Sequence, residues 1–116
     1  MHELKIAHNI INIVQNELAE RKLTQPVKVI HLKAGCLHAI IPESLLFNFD
    51  SIKKAEPQLR NARLCIEEIP LKVQCQACGN IEELSEPIFI CPNCRNGDLE
   101  IISGNEMFID NIELEE

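Results

Sequence analysis

Two Cys-x-x-Cys pairs constrain this chain more than anything else in it: Cys75-Gln76-Ala77-Cys78 and Cys91-Pro92-Asn93-Cys94, with twelve residues between them. A two-residue spacer brings both sulfurs of a pair within about 4 Å of each other, as a tetrahedral ion with metal–sulfur bonds of about 2.3 Å demands. The turn also aims backbone N–H groups at the sulfurs, and Gly79 can supply the left-handed conformation such a turn often needs. Four thiolates leave no vacant position for water or substrate, so the spacing points to a structural zinc ion and not a catalytic one. Binding of this kind contributes on the order of 10 kcal/mol or more, enough to fold a module with few apolar residues. A rubredoxin-like iron site uses the same ligands but is usually packed by aromatic rings, and this segment has Phe89 alone. A redox role needs one pair in a thioredoxin-like surround.

The rest of the chain sets the compartment and the partners. No run approaches eighteen apolar residues, and Met1-His2-Glu3-Leu4-Lys5 lacks the basic and apolar regions of a signal peptide. A cytoplasmic protein with no membrane partner is expected. Thiols stay reduced there, so the six cysteines do not read as a disulfide framework. At 116 residues and 46% apolar composition, the chain has room for one compact core plus a metal-stapled module, and not for two full cores. Zinc ribbons commonly bind nucleic acid, but the net charge of −7 opposes it. Within the cysteine segment, Lys72 and Arg95 face Glu82, Glu83, Glu86, Asp98 and Glu100. A four-thiolate zinc adds a formal charge of about −2. Tyr and Trp, the usual stacking platforms for bases, are absent.

Periodicity gives the elements. Leu4, Ala7, Ile11, Val14 and Leu18, widened by Ile10 and Ile13, predict an amphipathic helix that stops near Lys22, before Thr24-Gln25-Pro26. Val27 to Ala34 reads as a strand. Pro42 suits a first helical position, and Leu45, Leu46, Phe49 and Ile52 share one face of a second helix. Residues 62 to 69 alternate as a strand, with Ala62, Leu64 and Ile66 opposite Arg63, Cys65 and Glu67; Cys65 is nevertheless expected to be a small buried residue. After the cysteines, residues 99 to 102 and 107 to 114 read as strands around the turn Ser103-Gly104-Asn105. The fold class is therefore α+β.

The amino terminus offers a second set of metal donors. A histidine at position two is ordinarily a solvated terminal residue. Here the Met1 amine, the following backbone amides and the His2 imidazole lie within chelating reach of one ion, and such nitrogens suit square-planar Ni(II) or Cu(II). The first amides of a helix have no intrahelical acceptor, so metal can displace their protons without breaking it. Elsewhere, His8 is six positions along the helix from His2 and turned away from it. Cys36 and His38 form a C-x-H pair near a turn, read as ordinary packing with a weak second metal site as the alternative. The Glu82, Glu83 and Glu86 cluster reads as a solvated face.

Met1-His2-Glu3-Leu4 heading an amphipathic helix, Pro42-Glu43-Ser44-Leu45-Leu46-Phe47-Asn48-Phe49, the paired CxxC motifs, and Ile102-Ser103-Gly104-Asn105-Glu106-Met107 before an acidic strand together resemble the HypA family. The resemblance covers essentially the full chain. It implies a nickel chaperone for maturation of nickel–iron hydrogenase, and in some bacteria of urease. Carried onto this sequence, it implies nickel bound by the imidazole and amide nitrogen of His2 and the amide nitrogen of Glu3, with the Met1 amine as a candidate fourth donor. It implies a small mixed α/β nickel-binding domain of two helices and about three strands, residues 1–70 plus 100–116, with an inserted zinc-ribbon domain, residues 71–99. The zinc would be structural and the nickel transiently bound. The GTPase HypB, the hydrogenase large subunit and urease accessory proteins are the implied partners. One departure stands out: some relatives carry a histidine beside the zinc cysteines, and this chain has none after His38. That loss gives weight to the Met1 amine. No motif pairs a nucleophile with a base, so no enzyme is expected. The rival reading is a zinc-ribbon adaptor or nucleic-acid-binding module in which His2 is inert.

Overall fold

The computed structural model describes residues 2–86 and 88–116, so the Met1 amine lies outside the described residues. Among these described residues, two helices and six strands follow one another in a mixed α+β arrangement, α1 His2–Glu20, β1 Val27–Gly35, α2 Pro42–Ile52, β2 Arg63–Ile69, β3 Leu71–Cys75, β4 Ile81–Leu84, β5 Leu99–Ser103 and β6 Met107–Leu114. Short 3-10 turns at Cys36–His38, Lys53–Ala55 and Pro57–Leu59 join them. The strands form two three-stranded sheets, ordered β2-β1-β6 and β4-β3-β5.

Helix α1 ends as its sequence suggests, by a device the sequence does not advertise. Lys22 takes a left-handed φ of 55°, while Leu23 N–H donates to the Leu18 carbonyl at 2.9 Å and Lys22 N–H to that of Ala19 at 3.2 Å. This is the double cap usually built on glycine. Ala7, Ile10, Ile11, Val14 and Leu18 are buried, but Leu4 and Ile13, counted with the apolar stripe above, are 38% and 54% exposed. The buried position that replaces Leu4 at the first turn is Glu3. In α2, Leu45 and Phe49 are buried and Leu46 and Ile52 half-buried.

Contacts group the chain into two compact units, one of residues 1–32, 40–66 and 109–116, the other of 33–39 and 67–108. The first is packed around Val14, Val27, Ile30, Leu45, Phe49 and Leu59, all fully buried. In it, Leu64 on β2 is buried and Cys65 exposed. The expectation of a buried Cys65 is therefore wrong: strand alternation, which set it beside Arg63 and Glu67, outweighs the preference of cysteine for the interior.

The second unit holds the β4-β3-β5 sheet. Strand β3 is antiparallel to both neighbours, with Val73 opposite Glu82 on β4 and Ile101 on β5. Leu71, Val73 and Cys75 point to its buried face. The β3–β5 register shifts between Lys72, opposite Ser103, and Val73, opposite Ile101, leaving Ile102 as the extra residue of a bulge. The Ser103–Glu106 turn is held by this same unit. Gly35 N–H donates to the Glu106 carbonyl at 2.6 Å and Leu37 N–H to that of Gly104 at 3.0 Å. Gly104 N–H donates to the Glu106 carboxylate at 2.6 Å. The backbone N–H groups of Glu106 itself, Gly104 and Asn105, together with the field of His38, hold the Glu106 carboxyl below the usual carboxylate range.

Candidate metal centre

Each CxxC pair closes a turn with the same hydrogen bonds. Cys75 N–H donates to the Asn80 carbonyl at 2.9 Å and Gly79 N–H to that of Cys75 at 2.8 Å; Cys91 N–H donates to Asn96 at 2.9 Å and Arg95 N–H to Cys91 at 2.8 Å. Gly79 and Arg95 thus occupy equivalent places, and both have positive φ, 76° and 63°. A side chain at a left-handed position is strained by roughly 1 kcal/mol, and a Cβ on Gly79 would meet nothing within 4 Å. Arg95→Gly should therefore stabilise the metal-loaded protein by about 1 kcal/mol and Gly79→Ala destabilise it by a similar amount. Denaturant midpoints with zinc held in excess measure both.

The turns bring four sulfurs together. The Sγ atoms of Cys75, Cys78, Cys91 and Cys94 all lie within 4.8 Å of one another. Cys75 Sγ is 3.5 Å from Cys94 Sγ, and Cys78 Sγ is 3.8 Å from Cys91 Sγ. A tetrahedral ion with bonds of about 2.3 Å sets its ligands close to 3.8 Å apart, so the cluster fits zinc. Each pair gives one buried cysteine, Cys75 or Cys91, and one exposed, Cys78 or Cys94. Without a metal, Cys78 and Cys94 do not ionise alike. The Asn80 backbone N–H and the Asn93 side chain lower Cys78 to about 7. Cys94 also has a favourable backbone N–H, from Asn96, but Cys75 first, then burial and the other two sulfurs, push it up to about 12. A divalent cation at the centre favours the thiolate form at all four.

The amino terminus has a different construction. The His2 side chain is 55% exposed, and its Nε2 lies 3.2 Å from the Glu3 carboxylate, whose side chain is 10% exposed. The same carboxylate accepts from Ile41 N–H at 3.4 Å, and Ile41 is the residue that precedes α2. A carboxylate removed from water needs such partners. Glu3 therefore fastens the first turn of α1 to the start of α2 and holds the imidazole through Nε2, leaving Nδ1 as its other ring nitrogen. The sequence reading gave Glu3 a role only through its backbone. The available signal was its phase, since Glu3 falls in the series with Ala7, Ile10, Val14 and Leu18.

The remaining candidates separate. His8 is exposed on α1. His38 Nε2 lies 2.9 Å from the Asn105 carbonyl, and Cys36 is half-buried. Among the described residues, the four cysteines are the one group of three or more candidate ligands that could hold an ion, and Cys36 and His38 are not in it. No helix among the described residues is long and apolar enough to cross a membrane.

Known proteins resemble this chain over nearly its whole length. Residues 1–114 match the family model described as HypA, hydrogenase/urease nickel incorporation, metallochaperone. Hydrogenase maturation factor HypA of Desulfatibacillum aliphaticivorans is 38% identical over 114 residues, covering 98% of this chain and 87% of that one. The factor of the same name from Roseiflexus sp. (strain RS-1) is 37% identical over 117 residues, covering 100% and 94%. The solution structure of the Ni metallochaperone HypA from Helicobacter pylori superposes with a TM-score of 0.67 at 16% identity, over 97% of this chain and 96% of that one. With a family match that runs from the histidine-bearing terminus through both cysteine pairs, and a shared fold, the chain belongs to the HypA family of nickel-incorporation metallochaperones.

Proposed function

We propose that this chain carries Ni(II) at its amino terminus and delivers it for maturation of nickel–iron hydrogenase, with a structural zinc held by Cys75, Cys78, Cys91 and Cys94. The observation that carries the reading is the family match over residues 1–114, which takes in the His2–Glu3 terminus and both CxxC pairs. The nickel donors are the His2 imidazole and amide nitrogen, the Glu3 amide nitrogen and the Met1 amine. Nitrogens of this kind favour a square-planar d8 ion over tetrahedral zinc. The contact of Glu3 with Nε2 leaves His2 Nδ1 to close a chelate ring with the amide nitrogen of the same residue. The deprotonated amides make nickel uptake stronger as pH rises. In this reading residues 71–99 are a zinc domain inserted in a nickel domain of 1–70 plus 100–116. The protein works in the cytoplasm as a carrier and not as an enzyme. HypB takes part in the nickel handover, and the hydrogenase large subunit, or in some settings the urease accessory proteins, receive the metal.

Nickel titration of protein with its native terminus tests this directly. His2→Ala removes the imidazole, and one extra residue before Met1 converts its amine into an amide. Each should weaken nickel binding at least about tenfold while leaving zinc content unchanged. Equal affinity in both variants would remove the terminal site.

A further inference from the structure

Strand β6 is an end strand of the β2-β1-β6 sheet, so one of its backbone edges has no strand beside it among the described residues. Natural edges are commonly blunted by proline, lysine or a bulge. Met107–Leu114 contains neither proline nor lysine. Alongside it runs a groove of about 490 Å³ in the first unit, walled by Leu18, Leu23, Ile112 and Leu114 and by Ile13. Ile13, like Leu4, is an α1 position that sequence periodicity assigns to the core, and at 54% exposure it is an apolar side chain standing on the groove wall.

We propose that this edge and groove bind an extended basic segment of a partner protein by strand addition. Main-chain hydrogen bonds to β6 would supply affinity, and alternate side chains of the added strand would drop beside Ile13, Leu18 and Ile112. Charge selects the occupant. Residues 109–116 hold Asp110, Glu113, Glu115 and Glu116 and no lysine or arginine. Glu113 is paired with His31 and the groove's Arg21 with Glu17, so the field an incoming strand meets comes chiefly from Glu115 and Glu116 at the strand's end. A second copy of the same edge would set these acids against each other, whereas lysines on an incoming strand would meet opposite charge. The surface thus disfavours self-pairing and fits a strand that alternates apolar and basic residues. It lies outside the proposed metal ligands, so the inference does not depend on nickel binding.

The test uses full-length, zinc-loaded, nickel-free protein and an octapeptide alternating lysine with valine. Titration should shift the amides of β6 and those around Ile13. Ile13→Asn, a neutral change at an exposed position, should weaken binding by about tenfold or more. Replacing lysine by glutamate in the peptide should abolish binding. N-methylation of the peptide amides along one edge should weaken it by a similar factor, and this arm stands even if the protein variant folds poorly. Equal binding of the N-methylated peptides would overturn strand addition. Equal binding by Ile13→Asn, or shifts confined to other elements, would overturn the groove as the site. Concentration-dependent dimerisation abolished by Ile13→Asn would assign the surface to a second copy and overturn the basic partner.

Discussion

Cys91→Ser, or removal of zinc by a chelator, melts the β4-β3-β5 sheet while the amides of α1 and α2 keep their native shifts. The expectation follows from how little apolar matter the second unit buries. Of the buried apolar side chains, those in residues 33–39 and 67–108 are Ala34, Leu71, Val73, Cys75 and Cys91, and two of these are candidate ligands. Ile81, Ile88, Phe89, Ile90, Ile101 and Ile102 are all exposed. Burying Leu71 and Val73 contributes roughly 2 kcal/mol each. A four-thiolate zinc contributes on the order of 10 kcal/mol or more, so the ion decides whether this unit is folded. The first unit holds Val14, Ile30, Leu45 and Phe49 and needs no such help. Heteronuclear NMR before and after chelation separates the two responses, and one equivalent of zinc should restore the lost signals. Intact β3–β5 amides in metal-free protein would refute the structural role. Uptake should release protons and strengthen as pH rises, because Cys94, pushed up to about 12, must give up its proton to bind.

How much of this was legible in the sequence depends on the range of the interaction. The sulfur cluster rests on a two-residue spacing repeated once, and the helices on periodicity, so local reading placed both. Strands β3 and β4 escaped it: Leu71–Cys75 and Ile81–Leu84 mix Leu, Val and Ile with Lys, Gln and Glu over five and four residues, too short for a period to register. They pair because the first cysteine knuckle turns the chain back on itself. Cys65 was misjudged because residue preference was set above alternation. Glu3 was missed as a side chain because a carboxylate is not sought on a core stripe; its partner, Ile41, lies 38 positions away and no local pattern points to it.

A further long-range constraint is the close approach of two glycines, Gly35 and Gly104. A Cβ built on Gly35 would lie 2.1 Å from the Gly104 carbonyl oxygen and 2.7 Å from Asn105 N. Gly35 has an ordinary extended backbone, φ −65° and ψ 144°, so alanine there meets no dihedral strain and any effect is steric. The obstructing atoms are backbone and cannot rotate aside. Moving them would break the Gly35–Glu106 and Leu37–Gly104 hydrogen bonds that hold the Ser103–Glu106 turn. Gly35→Ala should destabilise the protein by about 3 kcal/mol or more, at the upper end of what overpacking produces. Gly104→Ala should be at least as severe, since its Cβ would sit 2.7 Å from Leu71 Cα and its φ is 104°. Gly79→Ala serves as the control, because it adds the same methyl group into open space. The sequence at Gly104 reads as a turn glycine of Ser103-Gly104-Asn105, which accounts for its positive φ and gives no hint of what lies against it. Denaturant unfolding of the zinc-loaded protein should therefore rank the three variants with Gly79→Ala least affected. A Gly35→Ala protein as stable as the Gly79→Ala control would mean that the turn does not pack against Gly35 in solution.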